Sequence, residues 1–342
     1  MATLEQDIKQ LCAELGKDPL LVQGAGGNVS WKVGDILWIK GSGTWLAHAD
    51  QEDIFVPVDL PELTRALLAK DFDAQPRLIG EHLLRPSIET TLHALMPQTI
   101  VAHLHAIYAL TYLINKDSQK MVANLFEQST DGNLQVAFVQ YHKPGPQLAQ
   151  AIQEALKDKP NANVIFLKNH GIVVGADSID QMKMLLDSLE LICRPNKPLA
   201  PMIAYQLPTV ATELNGSYIP FSDAQVQALT LNSDLYNRLA SDWVLYPDHA
   251  VFLGAKAFTY PSWEDFVAQK ASLTELPELI FIQNIGIFVK LDFNLAKAAQ
   301  LRCYFDVVSR IAPEDNLDPL NNVEIEALLN WDAEKLRQKM AK

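Results

Sequence analysis

Apolar positions along the 342-residue chain fall into short blocks of helical and strand periodicity, a pattern that predicts an α/β protein. The run from Thr99 to Leu113 carries His103-Leu104-His105; read as a strand, it puts both imidazoles on one face, because strand side chains alternate. Val164 to Val174 reads as strand, turn, strand around Asn169-His170-Gly171, followed by a helix from Ile179 to Cys193 behind an Asp177/Ser178 cap. Trp31 to Val33 and Ile36 to Ile39, around Gly34-Asp35, predict a β-hairpin. Ser87 to Met96 is helix-like and closed by Pro97, so Glu89 and His93, four apart, share one side.

Past Cys193 the pattern changes. Arg194 to Pro198 ends the helix, and Pro201 to Pro208 predicts a linker, with a second region, 209–342, starting near Thr209. There Leu279 to Val289 is again strand, turn, strand, with a helix from about Ala296 to Ser309, the pattern of Val164 to Val174 repeated. This suggests a degenerate half-copy in which Ile285 replaces His170; chance recurrence of a common α/β unit is the competing account. No His-x-His follows residue 200, so the repeat has the strands without the candidate metal ligands. Asn321 to Lys342 predicts a charged amphipathic helix on the surface or in a subunit contact.

Composition narrows the function. The chain is 49% hydrophobic with a formal net charge of −13, which disfavours nucleic acid and anionic membranes as partners. No span is apolar enough for a membrane helix, and the acidic start Met1 to Asp7 lacks the features of a signal peptide, so the expected location is cytoplasmic. Cys12, Cys193 and Cys303, odd in number and set in apolar contexts, read as reduced core thiols.

Two imidazoles buried side by side are costly to desolvate, and a shared divalent cation compensates both. Glu89, His93 and His170 are the further candidate ligands; three histidines and a carboxylate suit zinc with an exchangeable position, and manganese, cobalt or iron fit as well. Gln23 to Ser30 is a glycine-rich turn able to form an anion nest, with Asn28 and Ser30 as side-chain donors. It leads into a hairpin rather than a helix, which argues against a dinucleotide fingerprint. Lys40-Gly41-Ser42-Gly43-Thr44 is a second small-residue loop without P-loop order, and the two loops could clamp a phosphate together.

Gly-Gly-Asn-Val-Ser at 26–30, Gly-Ser-Gly at 41–43, Pro-Ser-x-Glu at 86–89, His-x-His at 103–105, Tyr141 with Gly145, and Asn169-His170-Gly171 occur in an order that resembles the class II aldolase/adducin family over roughly residues 1–195. Trp38 to Thr44, Arg85 to Glu89 and Tyr246-Pro247-Asp248-His249 are most similar to the aldolase portion of L-rhamnulose-phosphate aldolase/dehydrogenase fusions, although no dehydrogenase half is present. The resemblance implies a three-layer α/β/α catalytic domain over 1–195 and a homotetramer; the smaller α/β C-terminal region is read from its own pattern and is less expected for the family. It implies a divalent metal on His103, His105 and His170, Glu89 as base, and a phosphate pocket of Gly27, Asn28, Ser42, Gly43 and Ser87, with His93 in a supporting or core role. The implied activity is lyase cleavage of a carbon–carbon bond in a sugar phosphate or sugar acid, through a metal-stabilised enediolate.

Two departures from the family pattern remove hydroxyl donors: Ala25 and Ile88 stand where the family has Thr and Ser, so either Lys40 or Thr44 compensates or the substrate carries a carboxylate or no anion at all. The proton donor has no clear counterpart; Tyr108, Tyr112 and Tyr141 are candidates, and His249 either approaches the site or caps a turn. An epimerase or decarboxylase would use the same parts, and an adducin-like interaction module is the non-catalytic alternative. Retention of all three histidines beside Glu89 favours an enzyme.

Overall fold

A computed structural model describes residues 2–127, 132–195, 205–210 and 216–340. The larger sheet has seven strands: β1 (Asn28–Val33), β2 (Ile36–Lys40), β3 (Phe55–Asp59), β4 (Ile100–Leu104), β5 (Val136–Val139), β6 (Val164–Leu167) and β7 (Gly171–Ala176). Their order is β3-β2-β1-β4-β7-β6-β5, antiparallel throughout except for the β5–β6 pair.

Side-chain alternation sorts the strands' residues onto two apolar faces. Ile100, Ala102, Leu104, Phe166 and Val174 pack with Ile8 and Leu11 of helix Ala2–Lys17 and with Leu185 and Leu189 of helix Ile179–Cys193. Val101, Ile165, Leu167 and Val173 point the opposite way, onto Leu92 of helix Thr90–Leu95 and Leu148 and Ile152 of helix Pro146–Asp158. The result is a three-layer α/β/α arrangement, and each fully buried Leu, Ile or Phe contributes roughly 1.5–3 kcal/mol to it.

The apolar run expected as one strand is divided. β4 stops at Leu104 and helix Ile107–Leu113 begins three residues later, its first amide tied to the Leu20 carbonyl at 2.7 Å. His105 therefore sits just beyond the strand end rather than within it.

A second, four-stranded sheet is built from β8 (Tyr218–Pro220), β9 (Thr259–Tyr260), β10 (Leu279–Ile282) and β11 (Gly286–Lys290) in the order β8-β11-β10-β9. Its β9–β10 pair is parallel and the other two pairs are antiparallel. The strands β4-β7-β6-β5 have the same chain order and the same polarities. Helices correspond too: Trp263–Lys270 precedes β10 as Pro146–Asp158 precedes β6, and Leu295–Val308 follows β11 as Ile179–Cys193 follows β7.

The two regions share a buried cluster in which Ile107, Leu110 and Ile114 pack with Leu245, Ala250, Leu301 and Tyr304. Residues 196–204, most of the expected linker, lie outside the described residues. Among the described residues no helix is long and apolar enough to cross a membrane, and Cys12, Cys193 and Cys303 are free and buried. The terminal segment forms two helices, Asn322–Leu329 and Asp332–Met340, rather than the single surface helix expected; the second turns charged residues inward.

Candidate metal centre and substrate cavity

His103, His105 and His170 converge on one point although they come from a strand, a strand end and a turn; one ring nitrogen of each lies within 4.8 Å of the others. β4 pairs with β7 so that His103 is opposite Val173, which brings the turn at 169–171 alongside the end of β4. That turn depends on its backbone: Asn169 has φ 52° and Gly171 φ 156°. A Cβ on Gly171 would sit 2.3 Å from the Leu104 carbonyl oxygen, so glycine alone allows the approach that delivers His170. Asn169 anchors the turn by donating from its amide to the Leu245 and Asp318 carbonyls at 2.9 and 2.8 Å.

Each imidazole has a defined orientation. His103 Nδ1 donates to the Ile172 carbonyl at 3.1 Å, leaving Nε2 as an acceptor 3.2 Å from His105 Nε2. His170 Nε2 and His103 Nε2 each lie 3.4 Å from an oxygen of Glu89. Burial drives His105 down to about 4 and His170 down to about 3, so both rings are neutral at physiological pH. Burial alone would raise Glu89, but the imidazoles of His103 and His170 within 3.4 Å of its oxygens and a hydrogen bond from Asn28 outweigh it and hold the carboxyl well below the usual range. Neutral imidazoles beside an ionised carboxylate are the protonation states that bind a divalent ion.

Three atoms with unmet hydrogen-bonding needs test the fit. Glu89 Oε1 is buried without a hydrogen-bond donor, and the Nε2 atoms of His103 and His105 face each other although the first can only accept. A cation among these atoms would satisfy all three, so the residues present fit the metal that the sequence motifs imply.

A chain of hydrogen bonds holds the carboxylate. Asn28 Nδ2 donates to Glu89 Oε2 at 2.9 Å, Asn28 Oδ1 accepts from His93 Nε2, and Ser30 Oγ bonds His93 Nδ1 at 2.8 Å. His93, driven down to about 3 by burial, thus supports Asn28 and stays out of the ligand cluster. Ser30, expected as an anion donor, is committed to His93 and does not line the cavity.

The two small-residue loops close over this floor. Ser42 N bonds the Arg85 carbonyl at 2.8 Å and Ser87 N the Lys40 carbonyl at 3.1 Å, which zips the second loop to the segment carrying Glu89. Gly27, Asn28, Ser42, Gly43 and Ser87 line one cavity with Glu89, His105 and His170. Gly27 has φ 59° and approaches β4 so closely that a Cβ would lie 2.9 Å from the His103 oxygen. Ala25 and Ile88, the hydroxyl-lacking positions, line the same cavity, and so does Lys40. Lys40 donates to the Ala25 and Thr44 carbonyls at 3.1 and 2.6 Å; burial pushes its ammonium down to about 7.

Tyr108, Tyr112 and Tyr141 do not line the cavity. His249 also stays outside it; its ring packs against Trp243 and Tyr304 at centroid distances of 4.2 and 4.9 Å, and its Nδ1 accepts from the Leu245 amide at 3.4 Å. The neighbouring Asp248 enters instead, from the first turn of helix Pro247–Leu253, with Oδ2 3.5 Å from His105 Nδ1. A carboxylate there orients the ring for ligation. Asp248 also pairs with Arg337 at 2.5 Å and accepts from Gln300 at 3.3 Å. Sequence reasoning missed Asp248, Glu334 and Arg337; the Pro-Asp-His stretch was the one available signal, and it pointed to the histidine.

A three-layer α/β protein with a buried three-histidine, one-carboxylate centre under two glycine-rich loops is the class that fold and site define. Residues 6–196 match the family described as Class II Aldolase and Adducin N-terminal domain, and the chain belongs to that family. Relatives include the "Uncharacterized oxidoreductase YuxG" of Bacillus subtilis, 28% identical over 48% of this chain and 25% of its own length, so this chain spans only a quarter of that protein. The L-fuculose phosphate aldolase of Methanococcus maripaludis is 26% identical over 52% of this chain and 88% of its own. Methylthioribulose-1-phosphate dehydratase of Candida dubliniensis is 24% identical over 54% and 79%. Among solved structures, the N-terminal class II aldolase domain of a conserved protein from Thermoplasma acidophilum aligns with a TM-score of 0.44 at 23% identity, covering 55% of this chain and 92% of that one.

Proposed function

We propose that the protein is a divalent-metal-dependent lyase that cleaves a carbon–carbon bond of a phosphorylated sugar or sugar acid, acting as a cytoplasmic homotetramer with zinc as the ion. The observation that carries this reading is the convergence of three buried imidazoles on a donor-poor carboxylate at the floor of a loop-walled cavity. Kinship with aldolases of phosphorylated sugars supports the substrate class.

Held by His103, His105 and His170, the ion would supply Lewis acidity toward the substrate's oxygen atoms. Glu89 moves the proton: Asn28 donates to Oε2, and Oε1, which has no hydrogen-bond donor, takes it once the substrate's own oxygens replace that carboxylate oxygen in the centre. Gly27 and Gly43 line the cavity wall, and Ser42 and Ser87 stand beside them as donors for an anionic end. Asp248 holds His105 in register.

The test is metal content of the purified protein and of a His103→Ala/His105→Ala variant. About one ion per chain, lost in the variant, is expected; absence of metal after reconstitution sinks the lyase reading and leaves an adducin-like binding module. Screening of ketose phosphates and aldonates follows. Two carbonyl fragments identify a lyase of this kind, whereas a single dehydrated product identifies the dehydratase alternative, which kinship with methylthioribulose-1-phosphate dehydratases supports.

A further inference from the structure

The helix Asp332–Met340 is a partition with two working sides. Ala333 and Leu336 line an outer cavity of about 620 Å³, whereas Glu334 and Arg337 line the inner cavity beside Glu89 and His105, which has room for about 20 Å³. Ser42, Ser87 and Ile88 line both, so the helix stands between the metal centre and the larger space outside it. Met340 presses on the second loop, where a Cβ on Gly43 would lie 2.5 Å from the Met340 Cβ. The inner volume holds roughly one water molecule and no sugar.

What fills the inner space is an anion of the protein's own. Glu334, 1% exposed, receives Arg337 through both carboxylate oxygens at 3.0 and 3.2 Å, while the second arm of the guanidinium bonds Asp248. Burial pushes the Glu334 carboxyl up to about 7, so its position is unfavourable for a charged group with one shared cation. Lys40, with two of its three ammonium hydrogens on carbonyls, keeps one for a further acceptor. The positions that lost hydroxyl donors, Ala25 and Ile88, lie in this same cavity, and cationic groups stand beside them.

We propose that Arg337 and Lys40 form the subsite for the substrate's oxyanion, phosphate or carboxylate, and that the Glu334 carboxylate occupies the Arg337 end of it until substrate turns that side chain out. With the Glu334 side chain swung out and Arg337 still held by Asp248, the guanidinium exchanges one carboxylate for another oxyanion. The inference rests on the cavity being the substrate site and is independent of which bond is broken there.

The test titrates inorganic phosphate and, separately, glycolate into the full chain as purified, its metal content recorded, by calorimetry. Glu334→Ala is expected to bind one of the two anions at least about 10-fold more tightly than the unaltered protein, because the internal competitor is gone. Adding Arg337→Met to that variant is expected to abolish the gain. A gain for phosphate assigns a phosphorylated substrate; a gain for glycolate assigns a carboxylate. Should Glu334→Ala unfold by circular dichroism, the isosteric Glu334→Gln carries the same expectation. No tightening for either anion, or a gain that survives Arg337→Met, overturns the proposal. Because binding is read rather than turnover, a metal-loaded protein that cleaves nothing would count against the lyase reading alone.

Discussion

The hairpins β6–β7 and β10–β11 are nearly the same object with different endowments. Both turn through an asparagine in the left-handed region, Asn169 at φ 52° and Asn284 at φ 57°, and both follow it two residues later with glycine, Gly171 at φ 156° and Gly286 at φ 159°. Each is flanked by a parallel strand on one side and an antiparallel strand on the other, and each is followed by a long helix. The residue at the apex differs. His170 points to Glu89 and two more imidazoles, whereas Ile285 packs against an apolar cluster with Phe288 and Tyr260. The neighbouring strand differs as well: β4 carries His103 with His105 at its end, and β8, Tyr218–Pro220, offers no ligand. A ligand set needs several strands to agree at once, so losing the set takes few substitutions while the scaffold that held it persists. These correspondences support the internal duplication we propose for residues 209–342. The second region has not become inert: its helix Pro247–Leu253 supplies Asp248 to the first region's metal centre.

The largest expected effect comes from making the first hairpin like the second. His170→Ile should lower metal affinity by more than about 100-fold, since loss of even a supporting group costs 10–100-fold; near-normal metal content by elemental analysis would break the assignment. Next is the glycine. Gly171→Ala drives a Cβ against the Leu104 backbone oxygen at 2.3 Å, with an expected destabilisation of about 3 kcal/mol in urea unfolding. Gly286→Ala meets the Pro208 ring at 2.4 Å, a side chain rather than a backbone atom, and is expected to lose about 1–2 kcal/mol. Equal losses would show that the two turns are held equally rigidly.

Acid should also separate the hairpins. Burial drives His93, His105, His170 and His249 down to about 3, 4, 3 and 3, so the unfolded chain binds protons that the folded one refuses. Stability of the metal-free protein is therefore expected to fall as pH drops below about 6.5 toward 4. Glu334, raised to about 7, opposes this with one proton between its ordinary value and 7. Hydrogen exchange between pH 7 and 4.5 is expected to accelerate across 164–176 ahead of 279–290; simultaneous opening would contradict it. The smallest effect is a null one: Ile285→His should recruit no second ion, because a lone imidazole there has no partner ligands, and a stoichiometry of two would refute the account of what the copy lost.

Several features were legible in the sequence because they are local. Alternation around His103 and His105, the Asn-His-Gly turn, the hairpin over Gly34-Asp35 and the Ser178 cap each follow from a few adjacent residues and their dihedral preferences. The repeated strand-turn-strand-helix pattern was visible at 279–309 for the same reason. Other features could not be read that way. Where the apolar run stops being strand was set by a backbone bond from Ile107 to Leu20, a partner 87 residues away in the chain. Ser30 resembled a free donor until packing brought His93 against it. Asp248, Glu334 and Arg337 stand in a region whose local pattern reads as turn and surface helix, and only the shared core of the two regions carries them to the histidines. The sequence by itself determined the ligand types, the loops and the strand pattern, since these rest on short-range sterics and periodicity. Tertiary structure alone decided which charges meet in the cavity, because burial and distance, not residue type, determine whether a carboxylate is a surface group or the neighbour of a metal centre.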